Sequence, residues 1–332
     1  MPKRKALITG VAGQDGSYLS ELLLEKGYEV HGVDKLVPGL DTERPWARIS
    51  HILDLIELHE LSIENLSNIS ALIHKIQPDE CYHLAAQSFV SYDAVKEFQT
   101  IRTNMDGTHH LLAAVRERVP NCHFFFASSS EMFGRTEEYP QNERTAFYPR
   151  SIYGISKTAG FYLTRYYREN YRVHASSGIL YNHESPRRGH QFVTRKITRQ
   201  AAAIKMGFEK EIRLGNLDAR RDWGHAKDYV RAMWMMMQQP DPDDYIISTG
   251  VTHTVEEFAE RAFRHLGLDF KDHVVVDEDL VRSNENNILV GDASKARNVL
   301  GWEPEISFDE MIREMVLEDM KTKTGSGDQG AS

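Results

Sequence analysis

Short apolar runs alternate with helical periodicity through the first half of the chain. Ala6–Thr9 reads as a buried strand, and Leu19, Leu22, Leu23 and Leu24 put an apolar stripe on the helix that follows. Tyr28–Val33 predicts a second strand ending at Asp34, and His51–Leu53 a short third strand before Asp54. Glu80–Ala85, His123–Ser128 and His174–Leu180 continue the series, with helical stretches between, notably Ala94–Val119. Strand–helix–strand repetition of this kind predicts an α/β fold built on a doubly wound parallel sheet. Right-handed crossovers then gather the carboxyl ends of the strands at one edge, where ligands bind.

After Leu180 the pattern changes. Residues 181–195 are polar and basic, and later helices (near 191–206, 226–238, 254–267 and 307–321) mix with short strands such as Glu211–Leu214 and Tyr245–Ser248. The expected division is a dinucleotide-binding domain over 1–180, a smaller α/β substrate-binding region over 181–324 with segments that can cross back, and a disordered tail over 325–332. Pro38-Gly39 and Pro240-Asp241-Pro242 are turn signals.

Composition narrows the field. A formal net charge of −9 argues against a general nucleic-acid binder. The two cysteines, Cys81 and Cys122, border apolar strands and read as reduced core thiols. Met1-Pro2-Lys3-Arg4-Lys5 runs straight into a strand, without the apolar segment of a signal peptide, and no apolar run reaches the ~18 residues a membrane span needs. A cytoplasmic protein with no membrane partner is expected. The histidines show no HExxH or comparable spacing, and His109-His110 lies on a predicted helix, so no metal is expected. Met233, Met235, Met236 and Met237 around Trp234 read as packing residues.

The candidate chemistry comes in order along the chain. Gly10, Gly13 and Gly16, with Gln14 and Asp15 between the last two, follow the first strand and open a helix. Glycines there permit a tight turn and close approach to a pyrophosphate, and the helix N-terminus favours phosphate. Asp34 at the end of the second strand can accept hydrogen bonds from adenosine ribose hydroxyls and repel a 2′-phosphate, which favours NAD; Lys35 could instead pair with that phosphate. Asp54 and Leu55 are expected beside the adenine, and the small residues Leu84-Ala85-Ala86 after the fourth strand would let a cofactor lie close to the backbone. Tyr153 and Lys157 share one face of a helix start. A tyrosine of pKa about 10 becomes a usable base if a lysine ammonium and a cationic nicotinamide lower that value. Ser129 could hydrogen-bond a hydroxyl being oxidised, and Glu131 could act as general base or acid on the adjacent carbon.

With Gly13-Gln14-Asp15-Gly16-Ser17-Tyr18-Leu19, Tyr153-Gly154-Ile155-Ser156-Lys157, Asn182–Gly189, Phe192–Lys196 and Leu214–Gly224, the chain resembles the extended short-chain dehydrogenase/reductases, Rossmann-type enzymes, and within them the GDP-mannose 4,6-dehydratase family, from about Ala6 to Asp319. The resemblance implies a hydro-lyase with a tightly bound nicotinamide cofactor. Tyr153 takes the proton of the sugar C4 hydroxyl as hydride leaves C4, Ser129 polarises the C4 oxygen, Glu131 removes the C5 proton and helps expel the C6 hydroxyl, and hydride returns to C6. It further implies that Asn182, Lys196, Arg221, Arg282 and Glu285, with Ser88 and Val193, hold the GDP-sugar, Glu285 facing guanine, and that the chain forms a homodimer or homotetramer. Read alone, Arg187, Arg188, Arg195 and Arg199 fit surface charges as well as ligands, and Arg220-Arg221-Asp222 fits an internal ion pair.

Val33-Asp34-Lys35-Leu36 departs from the two arginines of the family's NADP site and favours NAD, with NADP the alternative the family implies. Ile152 and Ser283-Asn284 also depart from its pattern near the sugar and nucleotide pockets, so a GDP-linked heptose is a further substrate reading. Competing readings are a nucleotide-sugar epimerase or reductase and, from another class, a catalytically silent NAD-binding regulator.

Overall fold

The computed structural model describes residues 2–35, 46–88, 93–280 and 288–325. Arg282 and Glu285, the Pro38-Gly39 turn and the tail beyond Gly325 lie outside the described residues; Gly325 itself ends the last helix.

The chain opens with β1 (Lys5–Thr9), α1 (Gln14–Glu25) and β2 (Glu29–Asp34), then a 3₁₀ segment (Ala47–Leu55), β3 (Glu57–Glu60), α2 (Leu66–Ile76) and β4 (Glu80–His83). Next come α3 (Ala94–Ile101), a π-helical turn (Arg102–Asp106), α4 (Gly107–Arg118), β5 (His123–Ser129), α5 (Ile152–Tyr171) and β6 (Ala175–Leu180). The remainder is β7 (Asn182–Glu184), α6 (Val193–Lys205), β8 (Ile212–Leu214), β9 (Arg220–His225), α7 (Ala226–Met237), β10 (Asp244–Ile247), β11 (Thr252–Thr254), α8 (Val255–His265), β12 (Val274–Val276) and α9 (Phe308–Gly325).

Seven strands form one parallel sheet in the order β10-β6-β5-β4-β1-β2-β3. This is a Rossmann-type architecture. Strand order reverses between β1 and β4, so the loops after those two strands diverge and leave a crevice at their carboxyl ends. Both faces of the sheet are covered, and its strands are accordingly apolar almost throughout. On one face α1 and α7 pack Leu19, Leu23, Met233, Met236 and Met237 against Ile8, Tyr82 and Phe125. On the other, Leu72, Ile73, Leu111, Leu112 and Phe161 from α2, α4 and α5 meet Leu7, Phe124 and Phe126. A third core joins α6, α8 and α9 around Trp223, Phe258 and Phe263. Cys81 and Cys122 are free and buried, with thiols pushed up by burial, Cys81 to about 12. No helix among the described residues is long and apolar enough to cross a membrane.

One sequence expectation is corrected. The third strand is Glu57–Glu60; His51–Leu53 lies inside the 3₁₀ segment, where Ile49 and Ile52, three apart, are the buried positions. A three-residue apolar run cannot distinguish the two states. The helical stretch Ala94–Val119 is present, as α3 and α4 joined through the π-helical turn. After Leu180, α7 and β10 return to the large sheet, β10 pairing with β6 in parallel.

Candidate active site

The crevice is a cleft of about 730 Å³ lined by the glycine loop, the ends of β2, β4, β5 and β6, the start of α5 and the segment 180–196. Its floor is the turn from β1 into α1. Gly10 has φ 76°, and a Cβ there would lie 2.8 Å from the backbone of Ala85; at Gly16 it would lie 2.3 Å from the Gly10 carbonyl. The strand ends therefore approach as closely as glycine allows. Gly13 caps α1 with no side-chain acceptor on the first-turn N–H groups. Those donors, the helix dipole and the buried, unpartnered Ser128 hydroxyl in the cleft wall fit the phosphates and polar edge of a dinucleotide.

Asp34 accepts Ala12 N–H at 3.0 Å and Lys35 N–H at 2.9 Å, so the carboxylate that ends β2 also pins the glycine loop. Burial raises its pKa against those two bonds. Lys35 is ion-paired to Glu64 at 3.0 Å. Leu84, Ala85, Ala86 and Ser88 line the cleft. Asp54 and Leu55 do not: both are exposed in the 3₁₀ segment, and with the strand moved to Glu57–Glu60 the residues at its end are Leu61 and Ser62, which do line the cleft.

Ser129 ends β5, and its hydroxyl accepts Glu131 N–H at 3.2 Å, capping the turn that carries Glu131. Ser151 caps α5 by accepting Gly154 N–H at 3.0 Å. A Cβ at Gly154 would come within 2.7 Å of the Glu131 carbonyl, so the helix start sits directly on the Glu131 turn. Ser129, Glu131, Tyr153 and Lys157 thereby converge on one cleft wall. Burial pushes the Tyr153 phenol to about 12; a hydrogen bond with Ser129 opposes it, the Glu131 charge reinforces it and Arg188 opposes it. The expected lowering by Lys157 is absent here. The Lys157 ammonium donates to the Ala127 carbonyl at 2.8 Å and sits 5.8 Å from the Tyr153 ring centre, and burial lowers its own pKa to about 8.

The opposite wall is β7 and the start of α6. Asn182, Val193, Lys196 and Arg221 all line the cleft, Lys196 donating to the Arg213 carbonyl at 2.6 Å. The Asp222 carboxylate is held by Thr249 and Gly250 N–H groups, each at 2.9 Å, and by the Thr249 hydroxyl. Arg187 and Arg188 line the cleft too, Arg187 bonded to Glu21 and Arg188 to Glu184, whereas Arg195 is buried against Asp319.

Gln14 and Asp15 turn their side chains to β7 rather than leaving them free. Gln14 donates to the His183 carbonyl at 3.1 Å and accepts Ser185 Oγ at 2.8 Å; Asp15 lies 2.9 Å from His183 Nε2. The sequence alone assigns the His183 ring no role. A histidine beside Asn182 in a cleft-forming motif was the available signal.

Fold and site together define a Rossmann-type scaffold with a Ser–Tyr–Lys set beside a dinucleotide loop. Residues 7–315 match the family described as GDP-mannose 4,6 dehydratase. The chain is 47% identical to GDP-mannose 4,6 dehydratase 2 of Arabidopsis thaliana, over 96% of this chain and 88% of that one. It is 43% identical to the human GDP-mannose 4,6 dehydratase, over 96% and 92%. The dTDP-glucose 4,6-dehydratase of Bacillus anthracis in complex with NAD shares the fold at TM-score 0.84 and 22% identity, over 97% of this chain and 98% of that one. The chain belongs to the GDP-mannose 4,6-dehydratase family.

Proposed function

We propose that this protein converts GDP-mannose to GDP-4-keto-6-deoxymannose, a hydro-lyase reaction of deoxysugar biosynthesis. The observation that carries the reading is the convergence of a phenol, a hydroxyl, a carboxylate and an ammonium on one wall of a cleft whose floor is the glycine loop. A nicotinamide cofactor bound along Gly10–Gly16 would supply the acceptor and donor of hydride. Tyr153 receives the C4 hydroxyl proton once its own proton has left, and the Ser129 hydroxyl orients the C4 oxygen. The C4 ketone acidifies the C5 proton, Glu131 removes it, and the carboxylic acid so formed gives that proton to the departing C6 hydroxyl, which leaves as water. Hydride return to C6 and protonation at C5 complete the cycle without net oxidation. Lys157 organises the site from below, its charge held between the Ala127 carbonyl and the Asp15 field.

NAD is the proposed cofactor, because the Asp34 carboxylate at the end of β2 would repel a 2′-phosphate and Lys35 is ion-paired with Glu64. Asn182, Lys196 and Arg221 supply polar and cationic groups for the GDP portion. Cytoplasmic residence and a dimeric or tetrameric assembly complete the reading. Incubation with GDP-mannose tests it: a product lighter by one water with no accumulated NADH is expected, and unchanged mass or stoichiometric NADH would overturn it.

A further inference from the structure

Away from the cleft, the outer strands β2 and β3 bring three ligating side chains together. In their parallel register His31 lies opposite Glu57, and His59 follows Glu57 by two residues on the same face of the strand. His31 Nδ1 lies 3.2 Å from His59 Nε2 and 3.4 Å from Glu57 Oε2, and His59 Nε2 lies 3.7 Å from Glu57 Oε1. A tetrahedral zinc ion with bonds of about 2.0–2.2 Å separates its ligand atoms by about 3.3–3.5 Å. The two nitrogens already lie at about that separation, each reaches one of the two Glu57 oxygens, and one ligand atom from each of the three residues lies within 4.8 Å of the others.

A second observation points the same way. His31 Nε2 is 2.9 Å from Glu29 Oε1. A carboxylate there accepts a hydrogen bond from Nε2–H, which keeps the proton on Nε2 and leaves the Nδ1 lone pair facing His59 and Glu57, as in a carboxylate–histidine–metal relay. His31 is buried, His59 half-buried and Glu57 exposed, so the cluster has a rigid back and a side open to solvent. The competing cation is Lys75, 3.8 Å from Glu57 on an exposed side chain that can swing away.

We propose that His31, Glu57 and His59 form a binding site for one divalent transition-metal ion of the zinc class, with Glu29 as the outer-sphere partner of His31. Two nitrogens and one oxygen leave a coordination position for water, and such a mixed donor set suits zinc or cobalt over magnesium or calcium. The ion would bridge the sheet's edge strand to its neighbour, and β2 carries Asp34 at its end. The site is independent of the dehydratase reading, because none of its residues lines the cleft.

Chelator-stripped protein titrated with Zn(II), and separately with Co(II), tests this. One equivalent per chain should bind, Co(II) should show the intense visible bands of a four-coordinate site, and Zn(II) should raise Tm. His59→Gln and Glu57→Gln should each weaken binding tenfold or more while leaving the metal-free Tm near that of the parent. His51→Gln, a change to an exposed histidine elsewhere, should leave binding unchanged. Absence of stoichiometric binding, or binding that survives in His59→Gln, overturns the assignment.

Discussion

His183 and Asp15 form a buried ion pair that joins the substrate wall to the glycine loop. His183 Nε2 is 2.9 Å from Asp15 Oδ2, and Nδ1 is 2.7 Å from the Tyr181 carbonyl. Both ring nitrogens face acceptors, so the ring carries both protons and a positive charge. Burial alone would lower the His183 pKa, but Asp15 reverses it; burial would raise that of Asp15, but His183 outweighs it. The pair's contribution to stability is therefore complete between the unfolded values of 3.8 for Asp15 and 6.5 for His183. It is lost as pH rises through the raised pKa of His183 and as pH falls through the lowered pKa of Asp15. Unfolding free energies from urea titrations of the parent and His183→Gln should differ by about 3–5 kcal/mol inside that window. The gap should narrow on both sides, and a gap independent of pH would show that the ring is uncharged.

Glu131→Gln keeps the N–H that Ser129 caps and removes only the proton acceptor. Dehydration should fall about 10²–10⁴-fold, with cofactor affinity unchanged. Product mass and cofactor titration measure the two separately, and full activity would remove Glu131 from the elimination step.

Asp34 has two tasks that two variants separate. Asp34→Ala removes the acceptor of Ala12 N–H as well as the charge; Asp34→Asn keeps an acceptor for the loop. Both should relax discrimination against NADP. Only the alanine variant should also lose loop order, at about 1.5–3 kcal/mol for a hydrogen bond to a charged group. The ratio of NAD to NADP dissociation constants and the thermal midpoint read the two effects, and an unaltered ratio in both variants separates the carboxylate from cofactor choice.

Gly16→Ala places a methyl group 2.3 Å from the Gly10 carbonyl and 2.7 Å from Val11 Cα. Neither backbone atom can yield without moving the loop. A loss of about 1–3 kcal/mol in stability is expected, together with loss of cofactor binding. Gly27→Ala is the control for glycine removal outside the loop: it has φ 82° but open space around it, so only its backbone strain should register, and cofactor binding should persist.

The parallel sheet was legible because its strands are buried on both faces and so read as unbroken apolar runs, as in Phe124–Ala127. β3 escaped because Glu-Leu-His-Glu is polar at an outer edge, while the apolar neighbours Ile49 and Ile52 imitate a strand. That one displacement puts Leu61 and Ser62, rather than Asp54 and Leu55, on the cleft lining. β9 was read only as an Arg-Arg-Asp string, since its charged half carries no alternation. That Ser129, Glu131, Tyr153 and Lys157 line one cleft was legible from spacing and strand ends. The His183–Asp15 pair was not, because its partners come from opposite walls and only the tertiary fold brings them together. The His31–Glu57–His59 cluster was hidden for the same reason: metal-ligand spacing was sought along the chain, and strand register supplies it across the sheet.

β10 enters the large sheet from the far side of the chain and is fastened there by Arg168, whose two terminal nitrogens meet the Asp244 carboxylate at 2.9 and 2.7 Å. Severing the gene after Leu180 would thus strip β6 of its outer neighbour, exposing a row of unpaired peptide groups to any passing strand. The two halves cannot be produced as separate working parts, and fragments expressed alone should precipitate unless the missing piece is supplied alongside.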